Sequence, residues 1–176
     1  MFTLLGYPLS ESSSIPGMKI SAGVEWALHC VVALSGLDRP VSAAKMAEMT
    51  DVSASYLAKQ LQSLSRAGLI TSVQGNAGGY VLTRAPEKIS VLDVVLAIEG
   101  PTPMFECTEI RQRGPVGASP EECRDSCPIA KAMLAGEQAW RTALREVSIQ
   151  DLGVRMAGEI SPERMAAMLT WMQPAK

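Results

Sequence analysis

Residues 51–84 read DVSASYLAKQLQSLSRAGLITSVQGNAGGYVLTR, and this stretch decides the fold. Ser53 is a favourable residue for the N-cap of a helix. Leu57, Leu61 and Leu64 recur behind it at helical spacing, and polar residues occupy the intervening positions. The pattern predicts a short helix with one buried stripe and a polar outer face.

A hairpin is predicted directly after this helix. Gly68 suits the left-handed residue that ends a helix, and Leu69 to Val73 then alternates with β-branched residues as a strand does. The following loop is rich in glycine, which supplies the positive φ angles of a tight turn, and residues 80–83 return as a second strand. Before residue 51, Ser42 caps another short helix, AAKMAEMT. Two short helices followed by a hairpin predict a winged helix-turn-helix.

The fold class predicted for the whole chain is mainly α with a small β-hairpin wing. Ser21 caps a first helix that reaches about Leu37, and Ser90 with Asp93 forms a capping box for a helix that stops at Gly100. The predicted organisation has five segments: a disordered extension at 1–17, a winged helix-turn-helix DNA-binding domain at 18–100, a loop at 101–128, a long dimerisation helix at 129–155 and a C-terminal helix at 156–176.

Length and composition limit the possibilities further. A chain of 176 residues that is 47% apolar can bury one sizeable core, or a small domain with a helical appendage. No apolar run is long enough to span a membrane, and residues 1–17 lack a basic region before their apolar stretch. We therefore expect a soluble, cytoplasmic protein.

The charge is distributed unevenly along the chain. The net charge is -2, yet residues 19–84 carry six basic and four acidic side chains, or +2. The basic excess lies where DNA is expected to bind. Because +2 per chain is weak electrostatics for phosphate binding, we expect a homodimer on double-stranded operator DNA.

Polar side chains at the front of the predicted recognition helix are the candidate DNA contacts. They are Ser53, Ser55, Tyr56, Lys59 and Gln60. Gln and Ser side chains contact base edges, and Lys and Tyr meet phosphates. In the wing, Gln74 and Gly75 are expected to lie along the backbone or minor groove, and Arg84 is expected to anchor a phosphate. A solvated helix face is the alternative interpretation, and the adjacent wing favours DNA binding over it.

Three of the four cysteines fall within the segment 101–128, which we call the cysteine loop. Cys107, Cys123 and Cys127 cluster closely enough to indicate a metal rather than disulfides. The spacing matches a zinc site poorly, while iron-sulfur clusters tolerate irregular spacing better. Ordinary cysteines in a flexible loop are the alternative. Cys30, in an apolar helix, is predicted to be a core residue.

His29 is the only histidine, and Glu25 lies one helical turn before it, so both side chains project from one face of the first helix. On its own this pair indicates no more than a partly exposed histidine beside a carboxylate. Trp26 lies between the two. The absence of a Gly-rich phosphate loop or a nucleophile elbow, together with the single histidine, argues against an enzyme.

The order of MKIS, ALHCVVAL, VSASYLAKQLQSLSRAGLI, GGYVLTR and ISVLDVVLAIEG, followed by the cysteine loop and a long helix, resembles the family of IscR, NsrR and RsrR. Those proteins are dimeric winged-helix transcription regulators with iron-sulfur clusters. The likeness covers residues 18 to about 155. Within it, GVEWALHC at 23–30 and CTEIRQRGP at 107–115 look like the RsrR members in particular.

The resemblance implies a 2Fe-2S cluster held by two cysteines of one subunit and by Glu and His of the other subunit's first helix. Carried over by motif, Glu25 and His29 are the non-thiolate ligands, and Cys107 and Cys127 are the thiolates. Cys123 is then a non-ligand. Because 15 residues separate it from Cys107, unlike the closely spaced cysteines of IscR, Cys123 stays a fallback ligand.

The expected function is that of a redox-responsive dimeric regulator whose cluster state controls operator binding. Trp26 is a candidate redox-linked switch, since a cluster change that moves the helix would change its burial, and an ordinary packing role is the alternative. Two alternatives to cluster control stay open. One is a winged-helix regulator that senses oxidants or nitric oxide through thiols or cluster loss. The other is a zinc-stabilised interaction module.

Overall fold

The computed structural model describes residues 20–75 and 78–172, so the predicted extension at 1–17 and the tip of the wing lie outside the described residues. The elements in chain order are α1 (Ala22–Ser35), α2 (Ala43–Thr50), α3 (Ala54–Arg66), β1 (Ile70–Val73), β2 (Gly79–Leu82), α4 (Val91–Glu99), α5 (Pro128–Arg145), α6 (Ile149–Glu159) and α7 (Pro162–Trp171). Short 3₁₀ turns occupy Pro86–Lys88 and Ile110–Gln112. The predicted fold class, mainly α with a hairpin wing, is confirmed.

The helix-turn-helix pair is formed by α2 and α3, and local chemistry fixes both of its helix starts. The Ser42 hydroxyl accepts a hydrogen bond from the Lys45 N–H at 3.2 Å, and the Ser53 hydroxyl accepts one from the Tyr56 N–H at 3.3 Å. Between the helices, Asp51 adopts a left-handed conformation with φ 51°, which Asp tolerates better than most residues. The predicted serine caps of α2 and α3 are therefore confirmed.

The wing contains one interaction that sequence did not reveal. β1 and β2 pair antiparallel from Ile70 opposite Leu82 to Val73 opposite Gly79. Val41, just before α2, forms a separate antiparallel bridge to Tyr80 of β2, with two backbone hydrogen bonds at nitrogen-to-oxygen distances of 3.1 and 2.8 Å. Gly79 permits this approach, because a Cβ atom there would collide with the Val41 backbone. The wing is thereby fastened to the start of the helix-turn-helix.

Most of the described core lies where α1 packs on α2 and α3. The leucine stripe of α3 is fully buried there, as predicted, and each leucine contributes about 2 kcal/mol through removal of apolar surface from water. Ile149 of α6 is fully buried in the same core. It arrives through a backbone pairing in which the Ile149 N–H donates to the Ile89 carbonyl at 2.8 Å. The C-terminal helices thus complete the core of the winged helix-turn-helix.

The predicted single helix over 129–155 is two helices in the structure. α5 ends at Arg145, and α6 begins after Ser148, whose hydroxyl and backbone N–H form a capping box with Asp151. This box restarts the helix in a new direction that carries Ile149 into the core. The predicted boundary at 155/156 consequently falls inside α6, and α7 starts behind Ser161, whose side chain accepts a hydrogen bond from the Arg164 N–H.

The start of α1 also differs from the sequence prediction. Ser21 occupies the N-cap position, but its side chain makes no capping bond. Its hydroxyl and its backbone N–H both donate to the Glu99 carboxylate, at 2.6 and 2.9 Å. The end of α4 therefore holds the start of α1, a contact between residues 78 positions apart that local pattern cannot show.

The cysteine loop begins against α5. Glu137, only 8% exposed, accepts a hydrogen bond from the Met104 N–H at 3.1 Å and pairs with Arg141 at 2.7 Å. Trp140 and Leu144 of the same helix pack on the apolar face shared by α1 and α4. These contacts hold the loop and α5 beside the winged helix. None of the helices within 20–75 and 78–172 is long and apolar enough to cross a bilayer.

Candidate functional site

The predicted DNA contacts lie together on the outer face of α3. Ser53, Ser55, Tyr56 and Lys59 are exposed, and Gln60 is half-buried. The Ser53 hydroxyl already caps α3 and lies 3.3 Å from the Ser55 hydroxyl, so it is the least free of the set. The other side chains leave α3 a polar surface that is open to a ligand.

The wing and Arg84 flank that face. Gln74 and Gly75 are exposed beside the wing tip, and Gly75 has a φ of +124° that favours glycine. Arg84 pairs with Asp93 at 3.6 Å, and both side chains are about two-fifths exposed. An ion pair this open to solvent contributes little stability, so the Arg84 guanidinium can exchange the carboxylate for a phosphate at small cost.

Glu25 and His29 are both exposed and lie one turn apart on α1; we call them the ligand face. Both line a small groove of about 230 Å³ that Trp26, Met49 and Thr50 complete. In the described part of the chain, no three His, Cys, Asp or Glu side chains come together to hold a metal ion. The four predicted ligands therefore do not assemble within one subunit.

Cys107 and Cys127, by contrast, come together across the cysteine loop; we call them the thiol pair. Cys127 is buried at the N-cap of α5. Its pKa is lowered by the backbone N–H of Ala130 and, less strongly, by the Ile129 N–H, the charge of Arg111 and a hydrogen bond from Cys107. A helix N-terminus thus stabilises the thiolate of Cys127.

The environment of Cys107 is different. The Glu109 backbone N–H is the largest influence and favours the Cys107 thiolate, but it is outweighed by desolvation, by the charge and side-chain hydrogen bond of Glu109 and by the charge of Cys127. The net result is a raised pKa for Cys107. Its Sγ lies 3.6 Å from Glu109 Oε1. The thiol pair therefore combines one thiol that ionises readily with one that holds its proton more strongly.

Cys30 and Cys123 stand apart from the thiol pair. Cys30 is fully buried in the core, where desolvation raises its pKa to about 12, so the predicted core role is confirmed. Cys123 is half-buried in the cysteine loop, near enough to Arg111 for their charges to interact. Its role as a fallback ligand stays a prediction.

Trp26 contacts the recognition helix directly. Its ring meets that of Tyr56 edge-to-face, with centroids 4.9 Å apart and planes at 85°. One turn earlier on α1, Gly23 lies under Gln60, so close that a Cβ atom would be 2.8 Å from Gln60 Nε2. The helix with the ligand face thus contacts two candidate DNA-reading residues of α3.

Three residues at this site carry no sequence signal. Glu109 and Arg111 form an ion pair at 2.9 Å inside the cysteine loop, and Glu137 receives the start of the loop on α5. The loop has neither helical nor strand periodicity, so pattern alone gives no expectation of which side chains meet. The nearest hint in the sequence is that an acidic residue, Glu137, falls on the apolar stripe between Met133 and Trp140.

Comparison with known proteins gives consistent matches. The family model Rrf2, described as an iron-dependent transcriptional regulator, matches residues 20–155. The HTH-type regulator YwgB of Bacillus subtilis is 33% identical over 147 residues, covering 81% of this chain and 88% of YwgB. The repressor NsrR of Streptomyces coelicolor is 24% identical over 146 residues, covering 81% of this chain and 93% of NsrR. The solved structure of CymR, the global cysteine regulator of Bacillus subtilis, superposes with a TM-score of 0.61 at 25% identity, covering 79% of this chain and 98% of CymR.

Proposed function

The chain belongs to the Rrf2 family of iron-dependent transcriptional regulators, and from this premise we propose that it is a homodimer whose binding to operator DNA follows the redox state of a 2Fe-2S cluster. It is a transcriptional regulator rather than an enzyme, as its relatives are. The narrower likeness to the RsrR members, and with it the cluster type, is part of the proposal.

The four predicted ligands fit a cluster that is shared between subunits. The observation that carries the proposal is that the thiol pair and the ligand face lie apart within one subunit. The thiol pair supplies two soft donors from the cysteine loop, and the ligand face supplies an imidazole and a carboxylate from α1. Since a 2Fe-2S cluster takes four protein ligands and one chain does not bring these four together, a second chain would supply the missing half.

A cluster bound here would supply one-electron redox chemistry, at a potential raised by replacing two thiolates with imidazole and carboxylate. The chain's own part is to prepare the ligands. The N-terminus of α5 lowers the pKa of Cys127 and so favours its thiolate form, which is the form that binds iron. The exposed ligand face of α1 presents both of its donors outward, where a partner subunit can reach them.

The contact of Trp26 with Tyr56 supports a route from the ligand face to DNA. Trp26 lies between Glu25 and His29 in sequence and touches the recognition helix in space. Any shift of α1 that changes the position of the Trp26 ring therefore moves Tyr56, a candidate phosphate contact. Under this proposal, Trp26→Ala retains the cluster and loses the difference in operator affinity between the oxidised and reduced protein.

Dimerisation is part of the proposal because operator half-sites are read at a fixed separation. The first half of α5 leaves Ile129, Met133 and Leu134 exposed, beside Cys127. Apolar side chains grouped on one helix are typical of a surface that pairs. A dimer formed there would bring a second subunit to the thiol pair.

The decisive experiment mixes two inactive subunits. We would purify Cys107→Ala and His29→Ala proteins without oxygen, combine them under conditions that exchange subunits, and reconstitute iron and sulfide. With ligands shared between subunits, each variant alone lacks a complete site, whereas the mixed dimer regains one intact site of two. We expect visible absorption and iron in the mixture only. A colourless mixture alongside a coloured wild-type protein would show that the ligands come from one chain.

One observation favours a second candidate. Cys127 ionises readily beside Cys107, an arrangement typical of thiols that form a disulfide on oxidation, and the solved relative CymR is described as a global cysteine regulator. In that case the thiol pair itself would sense oxidants without metal. An iron-free protein whose DNA binding changes when Cys107 and Cys127 become disulfide-bonded would support this candidate over the cluster.

A further inference from the structure

The Arg111 guanidinium forms hydrogen bonds to two parts of the cysteine loop, one close to Cys107 and one close to Cys127. Arg111 Nε and Nη2 donate to the Glu109 carboxylate at 3.1 and 2.9 Å. The same Nη2 also donates to the Asp125 carbonyl at 3.1 Å. Glu109 follows Cys107 by two residues, and Asp125 precedes Cys127 by two. The side chain of Arg111 thus connects the Glu109 carboxylate, near one thiol, to the backbone carbonyl of Asp125, near the other.

The Glu109 end of this connection is held in an unfavourable conformation. Glu109 has a φ of 48°, the left-handed region that costs a residue with a side chain about 1 kcal/mol. That conformation directs the carboxylate toward both Cys107 Sγ and Arg111. A residue with a side chain keeps a left-handed backbone conformation only where other contacts hold it. Here the ion pair between Arg111 and the Glu109 carboxylate is that contact.

Charge gives Arg111 a second role. Two thiolates and the Glu109 carboxylate would place three negative charges in a short loop, and the guanidinium of Arg111 lies near two of them, those of Cys127 and Glu109. It engages the Glu109 carboxylate through two nitrogens, a geometry that lysine lacks. Arg111 therefore both holds Glu109 and offsets the repulsion that would drive the two sulfur atoms apart.

We propose that Arg111 is the positioning residue that sets the separation of Cys107 and Cys127 before iron arrives, by joining Glu109 to the Asp125 carbonyl. This inference deepens the proposed function and rests on it for its biological meaning. Its geometry concerns the metal-free protein, so it can be tested whether or not a cluster binds. Arg113 offers a matched control, since among the described residues its guanidinium hydrogen-bonds to the Thr108 carbonyl, at 2.8 Å on the Cys107 side, and not to the Cys127 side of the loop.

The test measures how fast the two thiols are bridged by dibromobimane, a short bifunctional reagent that becomes fluorescent when it joins two sulfur atoms. A Cys123→Ala background leaves the thiol pair as the reactive cysteines, because Cys30 is fully buried in the core with a pKa raised to about 12, whereas Cys127 retains 6% exposure and has a lowered pKa. We expect Arg111→Ala to slow bridging about tenfold while each thiol still reacts singly, since misplaced groups lose proximity. Arg113→Ala should bridge at the rate of the parent protein.

Arg111→Lys distinguishes the two-nitrogen contact with Glu109 from the positive charge. It also keeps the test valid if the alanine variant fails to fold. It keeps the cation but loses the two-nitrogen engagement of Glu109, so we expect it to bridge slowly as well, with an unchanged circular dichroism spectrum. Bridging at the parent rate in Arg111→Lys, or in a folded Arg111→Ala, would overturn the inference. If wild type binds no iron while bridging responds to Arg111, the cluster proposal fails and the positioning role stands.

Cluster-loaded protein provides the second readout. If Arg111 positions the thiol pair, loaded Arg111→Lys should show shifted visible bands and a shifted reduction potential, because cluster potentials respond to nearby charge and hydrogen bonding. Loaded Arg113→Ala should match wild type in both. A loss of thermal stability in Arg111→Lys with unchanged bands and potential would assign Arg111 a merely structural role and count against the proposal.

Discussion

Gly23 sets how closely α1 approaches the recognition helix α3. A methyl group at this position would meet the end of the Gln60 side chain at 2.8 to 2.9 Å. That end is flexible, so we expect Gly23→Ala to fold with equal or slightly greater stability, given that alanine favours a helix by about 1 kcal/mol over glycine. The displaced Gln60 should weaken operator binding about tenfold, the scale of one lost base contact.

A double-mutant cycle checks that this effect passes through Gln60. Gel-shift titrations would compare Gly23→Ala, Gln60→Ala and the double variant. In the Gln60→Ala background the added methyl group has nothing to displace, so the two losses should not add. Fully additive losses would mean that Gly23 acts on DNA binding by another route.

The cysteines should also differ individually in their response to pH. Alkylation requires the thiolate, so the rate for each cysteine rises with pH and levels off above its pKa. In metal-free protein we expect the Cys127 rate to level off at lower pH than the Cys107 rate, since the pKa of Cys127 is lowered and that of Cys107 is raised. Cys30, buried and with a pKa of about 12, should stay unmodified until unfolding.

Mass spectrometry of peptides after timed iodoacetamide treatment gives these profiles separately. Burial slows Cys127 at every pH, so the midpoint of each profile, rather than its height, is the quantity to compare. Coincident midpoints for Cys107 and Cys127 would show that the N-terminus of α5 does not favour the thiolate in solution.

On the scale of elements, α3 should bind DNA with its exposed face. Lys59 is exposed there, and a lysine at a phosphate releases a counterion on binding. We expect Lys59→Ala to weaken binding to all sequences and to lower the slope of log affinity against log salt by about one. Lys131, exposed on α5, is the control for a change in overall charge alone. An unchanged slope for Lys59→Ala would place the phosphates elsewhere.

Elements fixed by local chemistry were the predictable part of the fold. Serine caps and the leucine stripe mark α2, α3 and α4 within a few residues, because a cap and a period need no distant partner. Other contacts join residues far apart in sequence, namely the β-bridge between Val41 and Tyr80 and the hydrogen bonds from Ser21 to Glu99. Their partners are chosen by packing, which a one-dimensional pattern does not record.

The residues of the candidate site likewise fall into those that the sequence predicted and those that it did not. Cysteine clustering and helical spacing indicated the thiol pair and the ligand face, because residue type and period carry those signals. Arg111 gave no such signal, since its role depends on where an irregular loop folds back on itself. The break at Ser148 was missed for a different reason, because no glycine or proline lies between Arg145 and Ile149 to mark the end of a helix.

At the scale of the whole molecule, α5 is the surface on which pairing of subunits can be tested. Met133 is 47% exposed, so Met133→Lys should leave the folded monomer stable. In a dimer that buries this face, the lysine would be desolvated without a partner, which costs several kcal/mol and separates the subunits. We expect monomers in sedimentation analysis, and loss of both operator and iron binding.

Thr142→Lys is the matched control, because Thr142 is exposed on the same helix and lies nine positions after Met133, on the opposite side of the helix. It should remain dimeric and bind DNA. Persistence of the dimer in Met133→Lys would place the subunit interface on another part of the molecule.

Ile149 has a consequence for how the protein is made. This residue completes the core around α1, yet it follows Ile89, its backbone partner, by 60 positions. During synthesis, the first helices leave the ribosome with a gap in their apolar centre that closes only when α6 emerges. Nascent chains that stop after α4 should therefore remain loosely packed and prone to association through their exposed leucines. A regulator fragment without its cysteine loop and C-terminal helices would thus be a target for chaperones and proteases rather than a working DNA binder.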